Sequence, residues 1–250
     1  MSNIQKHQQN TAGLSLKDKL KGLSDMTKGK NSALQKVELP RLFYQLVIFV
    51  LDGSGSMHGL GKTGKTKGEE VAEIIHPVIK RLKESKNKNS FDISAWVYGT
   101  QNKQILNSES VEKINSNTSF NPNDSDVGAT TYIADCLKNV GEHADNYLYT
   151  HKGKNAQVLV ILLSDGAIHD IAKATPIAES LIQNPKITVS SAFLETQGLG
   201  ESYLTNCQDK MRAITSTSNL SVDHFFTSTV DPEAIRKHMI KSISTVSKID

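Results

Sequence analysis

The sequence predicts one α/β domain, doubly wound about a mostly parallel central sheet with helices on both faces. Three observations predict it. Apolar, β-branched runs of strand length recur from Arg41 onward, separated by helical stripes. Two of these runs, LFYQLVIFVL (42–51) and QVLVILLS (157–164), lack polar alternation, as strands buried on both faces do. Strand and helix then alternate almost to the end, which is the pattern of parallel pairing through helical crossovers.

Composition sets the bounds. The chain has 250 residues, 37% hydrophobic and 22% charged, an ordinary globular balance with length for one large core. Its longest apolar stretch, residues 46–51, falls far short of the roughly 18 residues of a membrane-spanning helix. The N-terminus has no apolar signal core, so a cytoplasmic protein is expected. Cys136 and Cys207 fit no metal spacing and read as packing residues in a reducing compartment. A net charge of +3, with no basic run interleaved with aromatics, argues against a nucleic-acid partner. The basic segment KTGKTK (62–67) reads as a solvated loop.

Each element has its own justification. Residues 1–38 are polar and read as a flexible N-terminal extension, with a short amphipathic helix at LSLKDKLKGL (14–23); the domain is then 39–250. After the first strand, GEEVAEIIHPVIKRLKES (68–85) puts Val71, Ile74, Ile75, Val78, Ile79 and Leu82 on one helical stripe, with Pro77 expected to kink it and His76 expected at its surface. FDISAWVYG (91–99) alternates like a strand with Trp96 in the core, and KQILNS (103–108) suits a hairpin partner. TYIADCLKNVGEHADNYLY (131–149) aligns Ile133, Leu137, Val140, Ala144 and Leu148, with Asp124 or Asp126 available to cap it or to hold a turn. TPIAESLIQ (175–183) reads as a helix with Pro176 in its first turn. ITVSSAFLE (187–195) is a strand, SYLTNCQDKMRAIT (202–215) a helix and VDHFFTST (222–229) a strand. The last helix (231–246) opens on Asp231 as N-cap and Pro232 as first helical residue.

Ligands of such sheets sit at the carboxyl ends of the strands. There the first buried strand runs into Asp52-Gly53-Ser54-Gly55-Ser56. In an extended loop, alternate residues point the same way, so one carboxylate and two hydroxyls are expected to face one point while Gly53 and Gly55 let the chain turn. The other buried strand ends in Asp165 at the same edge, and Thr131 begins a helix nearby. Oxygen donors without nitrogen or sulfur suit Mg²⁺, Mn²⁺ or Ca²⁺. Hydroxyls bring no net charge, so the ion stays electron-poor and welcomes a carboxylate from outside.

These residues, in this order, resemble the von Willebrand factor A domain with its metal-ion-dependent adhesion site. Asp-x-Ser-x-Ser, a Thr and an Asp map onto Asp52, Ser54, Ser56, Thr131 and Asp165. The Thr register rests on counting back from Leu137 and leaves Thr130 as the alternative. The resemblance covers about residues 41–250. It implies cation-dependent binding of a protein ligand through an Asp or Glu carboxylate, and no catalysis. Bacterial cytosolic members associated with tellurium resistance are similar, which implies a stress-response or signalling setting.

A rival motif lies next door. GLGKTGKT (59–66) matches the phosphate-cradling pattern Gly-x4-Gly-Lys-Thr, with Lys65 on phosphates, Thr66 on Mg²⁺ and Asp165 supporting the metal. It ranks second, because a phosphate loop starts at the strand end and here residues 52–58 intervene. The preferred reading is an insertion between the metal loop and the first helix. A third reading is a scaffold whose metal is purely structural. A serine hydrolase ranks last, since the Gly-x-Ser-x-Gly elbow is missing and His58 is the only base candidate in the loop. His58, His169 and Asp170 read as loop residues at the rim.

Overall fold

The computed structural model describes residues 41, 43–166, 168–196, 198–217 and 223–247. The expected N-terminal extension and its helix lie outside the described residues. Six strands form one sheet in the order β3-β2-β1-β4-β5-β6. They are β1 (Tyr44–Asp52), β2 (Phe91–Tyr98), β3 (Asn102–Ser110), β4 (Ala156–Ser164), β5 (Ile187–Leu194) and β6 (Phe226–Thr229). All neighbours pair in parallel except β2 and β3, the expected hairpin. The helices are α1 (Lys67–Glu84), α2 (Ala134–Thr150), α3 (Ile171–Ile182), α4 (Glu201–Ala213) and α5 (Pro232–Val246). The doubly wound architecture is therefore as the sequence predicts.

The pleat of the two central strands builds both cores. Val47, Phe49 and Leu51 of β1, with Leu159, Ile161 and Leu163 of β4, pack under α1 and α5. Leu46, Ile48 and Val50, with Val158, Val160 and Leu162, pack under α2, α3 and α4. The predicted α1 stripe is buried from Val71 to Leu82, and the helix runs unbroken through Pro77. His76 is half-buried against Phe120, while Trp96 is half-buried rather than core. Cys136 and Cys207 are buried free thiols, as packing residues should be. Asp231 accepts from the Glu233 N–H and Pro232 opens α5.

Two boundaries differ from expectation. Helix α3 starts at Ile171, so Pro176 lies inside it rather than in its first turn. The missing proline N–H costs the helix only one bond, to the Ala172 carbonyl; the Thr175 hydroxyl donates to the neighbouring Ile171 carbonyl (2.9 Å). Helix α2 starts at Ala134, three residues after Thr131, and neither Asp124 nor Asp126 caps it. Asp124 instead accepts from Ser119 and Asn121 in a 3₁₀ turn. The α2 cap is Asp170, whose two carboxylate oxygens accept from Ile133 N–H and Ala134 N–H (both 2.9 Å).

Candidate metal centre

Strand order fixes where a site can form. The chain passes from β1 to β2 on one side, then crosses to β4 on the other. The reversal opens a crevice at the carboxyl ends of β1 and β4. Asp52 is the last residue of β1 and Ser164 the last of β4. Leu51 pairs with Leu163, so the next pair along is Asp52 and Ser164. Ser164 Oγ donates to Asp52 Oδ2 at 2.6 Å, and Ser54 N–H donates to Asp52 Oδ1 at 2.9 Å. The carboxylate is fully buried yet held at both oxygens.

Burial pushes the Asp52 carboxyl up to about 6, with the charge of Asp165 adding to it and the bonds from Ser164 and Ser54 opposing it. A carboxylate that resists ionisation in a dry pocket has unmet demand for a cation. Tyr98, fully buried and paired with Asp52 in register, is pushed up as well, first by burial and then by the Asp52 charge.

The loop after Asp52 differs from the extended reading. Ser54 is extended, but residues Gly55–His58 form a 3₁₀ turn. That turn swings Ser56 back, so the hydroxyls of Ser54 and Ser56 lie 3.1 Å apart. Gly53 is required by close approach: a Cβ there would lie 2.6 Å from Val97 Cγ1. Neither Gly53 nor Gly55 has positive φ.

The other predicted residues meet this turn. Asp165 is buried and its Oδ1 accepts from Ser56 Oγ at 2.7 Å. Thr131 is 4% exposed, and its carbonyl accepts from the His169 N–H (3.0 Å), which ties it to the β4–α3 loop. Gly166 shows how the oxygens are grouped. A methyl added there would lie 3.6 Å from Ser56 Oγ, 3.7 Å from Thr131 Oγ1 and 3.9 Å from Asp52 Oδ2. Three oxygens, two from the Asp52–Ser56 turn and one from Thr131, thus lie near one point at which the chain has no side chain. Of the two alternatives, Thr131 has its hydroxyl in this group, and the Thr130 N–H bonds to the Thr100 hydroxyl. The donor set of hydroxyls and carboxylates from Asp52, Ser54, Ser56, Thr131 and Asp165 has the chemistry that could hold a hard divalent cation.

Sequence reading missed two residues here. Ser164 precedes Asp165 in LLSDG, and strand parity alone would have aimed it at Asp52. Lys67 corrects the solvated-loop reading of KTGKTK: it is 7% exposed, and its ammonium bonds to Asp165 Oδ2 and to Thr196 Oγ1 (2.7 Å for the latter). Of the rim residues, His58 and His169 are exposed, and His169 meets the exposed Tyr132 edge-on (6.2 Å between centroids).

The rival phosphate motif forms no cradle in this structure. Residues 59–66 close on themselves through a Leu60–Thr66 bridge. Three of their N–H groups already have acceptors nearby: Gly61 N–H bonds to the Lys65 carbonyl (2.7 Å), Thr63 N–H to Glu70 (2.5 Å) and Thr66 N–H to Glu69 (2.7 Å). A phosphate would find carboxylates where it needs donors. Lys65 pairs with Glu73 on the surface, and Thr66 caps α1 in a capping box with Glu69.

A mostly parallel sheet with a hydroxyl- and carboxylate-lined crevice at its switch point places the protein among doubly wound α/β proteins. The family model for the von Willebrand factor type A domain matches residues 47–237, and the chain belongs to that family. Comparison with curated proteins gave no match. Among solved structures, the chain is similar to the SpaC pilus adhesin of Lactobacillus rhamnosus GG (TM-score 0.65, 10% identity, covering 84% of this chain and 31% of the adhesin). It is also similar to a manganese-loaded TRAP protein of Plasmodium vivax (TM-score 0.52, 18% identity, 80% and 73% covered). A third is the mussel byssus proximal thread matrix protein 1, in a form whose MIDAS motif holds zinc (TM-score 0.51, 15% identity, 82% and 46% covered). At these identities the likeness is one of fold. The chain spans about a third of the length of the adhesin it matches.

Proposed function

We propose that the protein is a divalent-cation-dependent protein-binding module. Asp52, Ser54, Ser56 and Thr131 hold Mg²⁺ (or Mn²⁺ or Ca²⁺), with Asp165 acting directly or through water. An Asp or Glu carboxylate of a protein partner completes the coordination. The observation that carries this reading is the gathering of Asp52 Oδ2, Ser56 Oγ and Thr131 Oγ1 around the open side of Gly166. The family, and the manganese and zinc named for two fold neighbours, support it.

The surface around the crevice suits a protein better than a small ligand. Leu60, Tyr132, Leu199 and Tyr203 are four of the five large hydrophobic side chains exposed among the described residues. All four lie on loops or helix starts at the carboxyl edge of the sheet. Apolar contacts ringing a charged centre are the arrangement of an interface in which a metal–carboxylate bond is shielded from water. A cytoplasmic, reducing setting is supported by the two buried free thiols. A role in a bacterial stress-response or signalling system rests on the sequence resemblance.

Affinity capture from native lysate tests the reading, run with Mg²⁺, with EDTA and with Asp52→Ala in Mg²⁺. Proteins retained in the first sample are expected to be lost from the other two. The same proteins in all three would sink the adhesion mechanism. Lower thermal stability in EDTA with unchanged capture would leave the metal a structural role.

A further inference from the structure

We propose that Lys67 is a tethered cation that competes with the metal ion for Asp165 and so sets how much divalent cation the site needs. The inference rests on the metal-centre reading above and concerns a residue outside that ligand set.

Lys67 occupies a position that helix stability disfavours. It is the first residue of α1, where the helix dipole presents positive charge, and it is buried. A cation there needs a strong local reason. The reason visible in the structure is Asp165, whose Oδ2 accepts from the ammonium while Oδ1 accepts from Ser56. Thr196 Oγ1, at the end of β5, holds the ammonium from a second side at 2.7 Å. Both Asp165 oxygens are thereby engaged in a site that must take up a dication at the same place.

The consequences have opposite signs. Against the free metal, Lys67 is a rival: a dication within direct or water-bridged reach of Asp165 meets a fixed positive charge a few ångströms away. For the loaded centre, Lys67 is an ally. With two carboxylates and a dication alone, the centre would be neutral; with Lys67 it is positive and attracts an anionic partner group more strongly. The structure also offers the ammonium a place to retreat. A cavity of about 130 Å³ beside the crevice is lined by Lys67, Glu70, Glu195 and Thr196, among others. When metal takes Asp165, the carboxylates lining this cavity offer the ammonium alternative partners. The site would then be silent at low metal concentration without collapsing, because Lys67 keeps the buried Asp165 paired.

The test is titration with MnCl2 alone, by calorimetry and by manganese electron paramagnetic resonance, on the full chain. Lys67→Met is expected to bind Mn²⁺ about tenfold tighter or more. Lys67→Arg, which keeps the charge, should stay near wild type. In EDTA, Lys67→Met should melt below wild type, and Mn²⁺ should close the gap. If Lys67→Met does not fold, Lys67→Gln, whose amide can still donate to Asp165, gives the same comparison. Equal or weaker Mn²⁺ binding by the neutral variants, with binding still abolished in Asp52→Ala, overturns the competition and leaves the metal centre standing. Wild-type Mn²⁺ affinity in Asp52→Ala overturns both.

Discussion

Two consecutive loops of this protein, residues 52–58 and 59–66, look equally ligand-ready as strings of Gly, Ser, Thr and charged residues, and the structure treats them in opposite ways. The first leaves a buried strand and keeps Asp52 and Ser54 buried, with their oxygens turned toward Ser56, Thr131 and Asp165 from elsewhere in the chain. In the second, the N–H groups of Gly61, Thr63 and Thr66 bond to the Lys65 carbonyl and to Glu70 and Glu69 of α1, and the loop stays largely exposed. An N–H already bonded to a carboxylate has little left to offer a phosphate, whereas a carboxylate or hydroxyl oxygen that has accepted one bond keeps a lone pair for a cation. Motif letters do not carry that distinction; long-range placement does.

The sharpest way to break the comparison is to remove one charge from each loop. Asp52→Asn is expected to reduce Mn²⁺ affinity by a hundredfold or so, since it removes a buried anion aimed at the site. Lys65→Ala is expected to leave Mn²⁺ affinity unchanged, as its ammonium faces Glu73 on the surface. Calorimetric titration of both variants settles it. Loss of binding in Lys65→Ala with retention in Asp52→Asn would reverse the assignment of the two loops.

An effect of similar size is expected from pH. The Asp52 carboxyl lies at about 6, above its ordinary 3.8, because burial penalises its charge. The folded protein therefore holds this proton more tightly than the unfolded chain. Stability in EDTA should fall as pH rises from about 4 through 6, by on the order of 3 kcal/mol from this group, and then level off. Metal reverses the outcome, since the dication takes the proton's place; its affinity should drop as pH falls below about 6. Buried His238, held near 4 by desolvation, titrates in the same range with the opposite sign. The measurement is accordingly a difference between wild type and Asp52→Asn melting curves, each with EDTA and with Mn²⁺. A difference flat from pH 4 to 8 would show that Asp52 does not titrate as its burial demands.

The same contrast explains what was legible in the sequence. Features set by local periodicity were readable: the two buried runs became β1 and β4, and the α1 stripe from Val71 to Leu82 is buried. The strand-end carboxylates Asp52 and Asp165 were readable because parallel topology sends both to one edge. Features set by distant partners were not. Lys67 has the same kind of sequence neighbours as Lys62 and Lys65, and its buried partners, Asp165 and Thr196, lie far along the chain. Asp170 caps a helix that begins before it in sequence, so no capping pattern announced it. Ser56 reached the site through a 3₁₀ turn where alternate residues of an extended loop were expected, the same endpoint by a different backbone path.

The smallest expected effect belongs to Thr66, the residue that a phosphate loop would use to hold Mg²⁺. In the structure its hydroxyl accepts from the Glu69 N–H (3.2 Å), and Glu69 Oε2 accepts from the Thr66 N–H (2.7 Å). Asn123 Nδ2 also donates to the Thr66 hydroxyl at 3.3 Å. Thr66→Ala thus removes a helix cap and should cost about 1 kcal/mol of stability, read as a small drop in urea midpoint. Mn²⁺ affinity should stay within about threefold of wild type, because the cap and the metal oxygens share no partner. Lys67 follows Thr66 directly, so any larger change would have to pass through that ammonium, and Lys67→Met in the same background would abolish it. A Thr66→Ala variant that loses Mn²⁺ binding with or without Lys67 would mean that the second loop, and not the first, carries the ion.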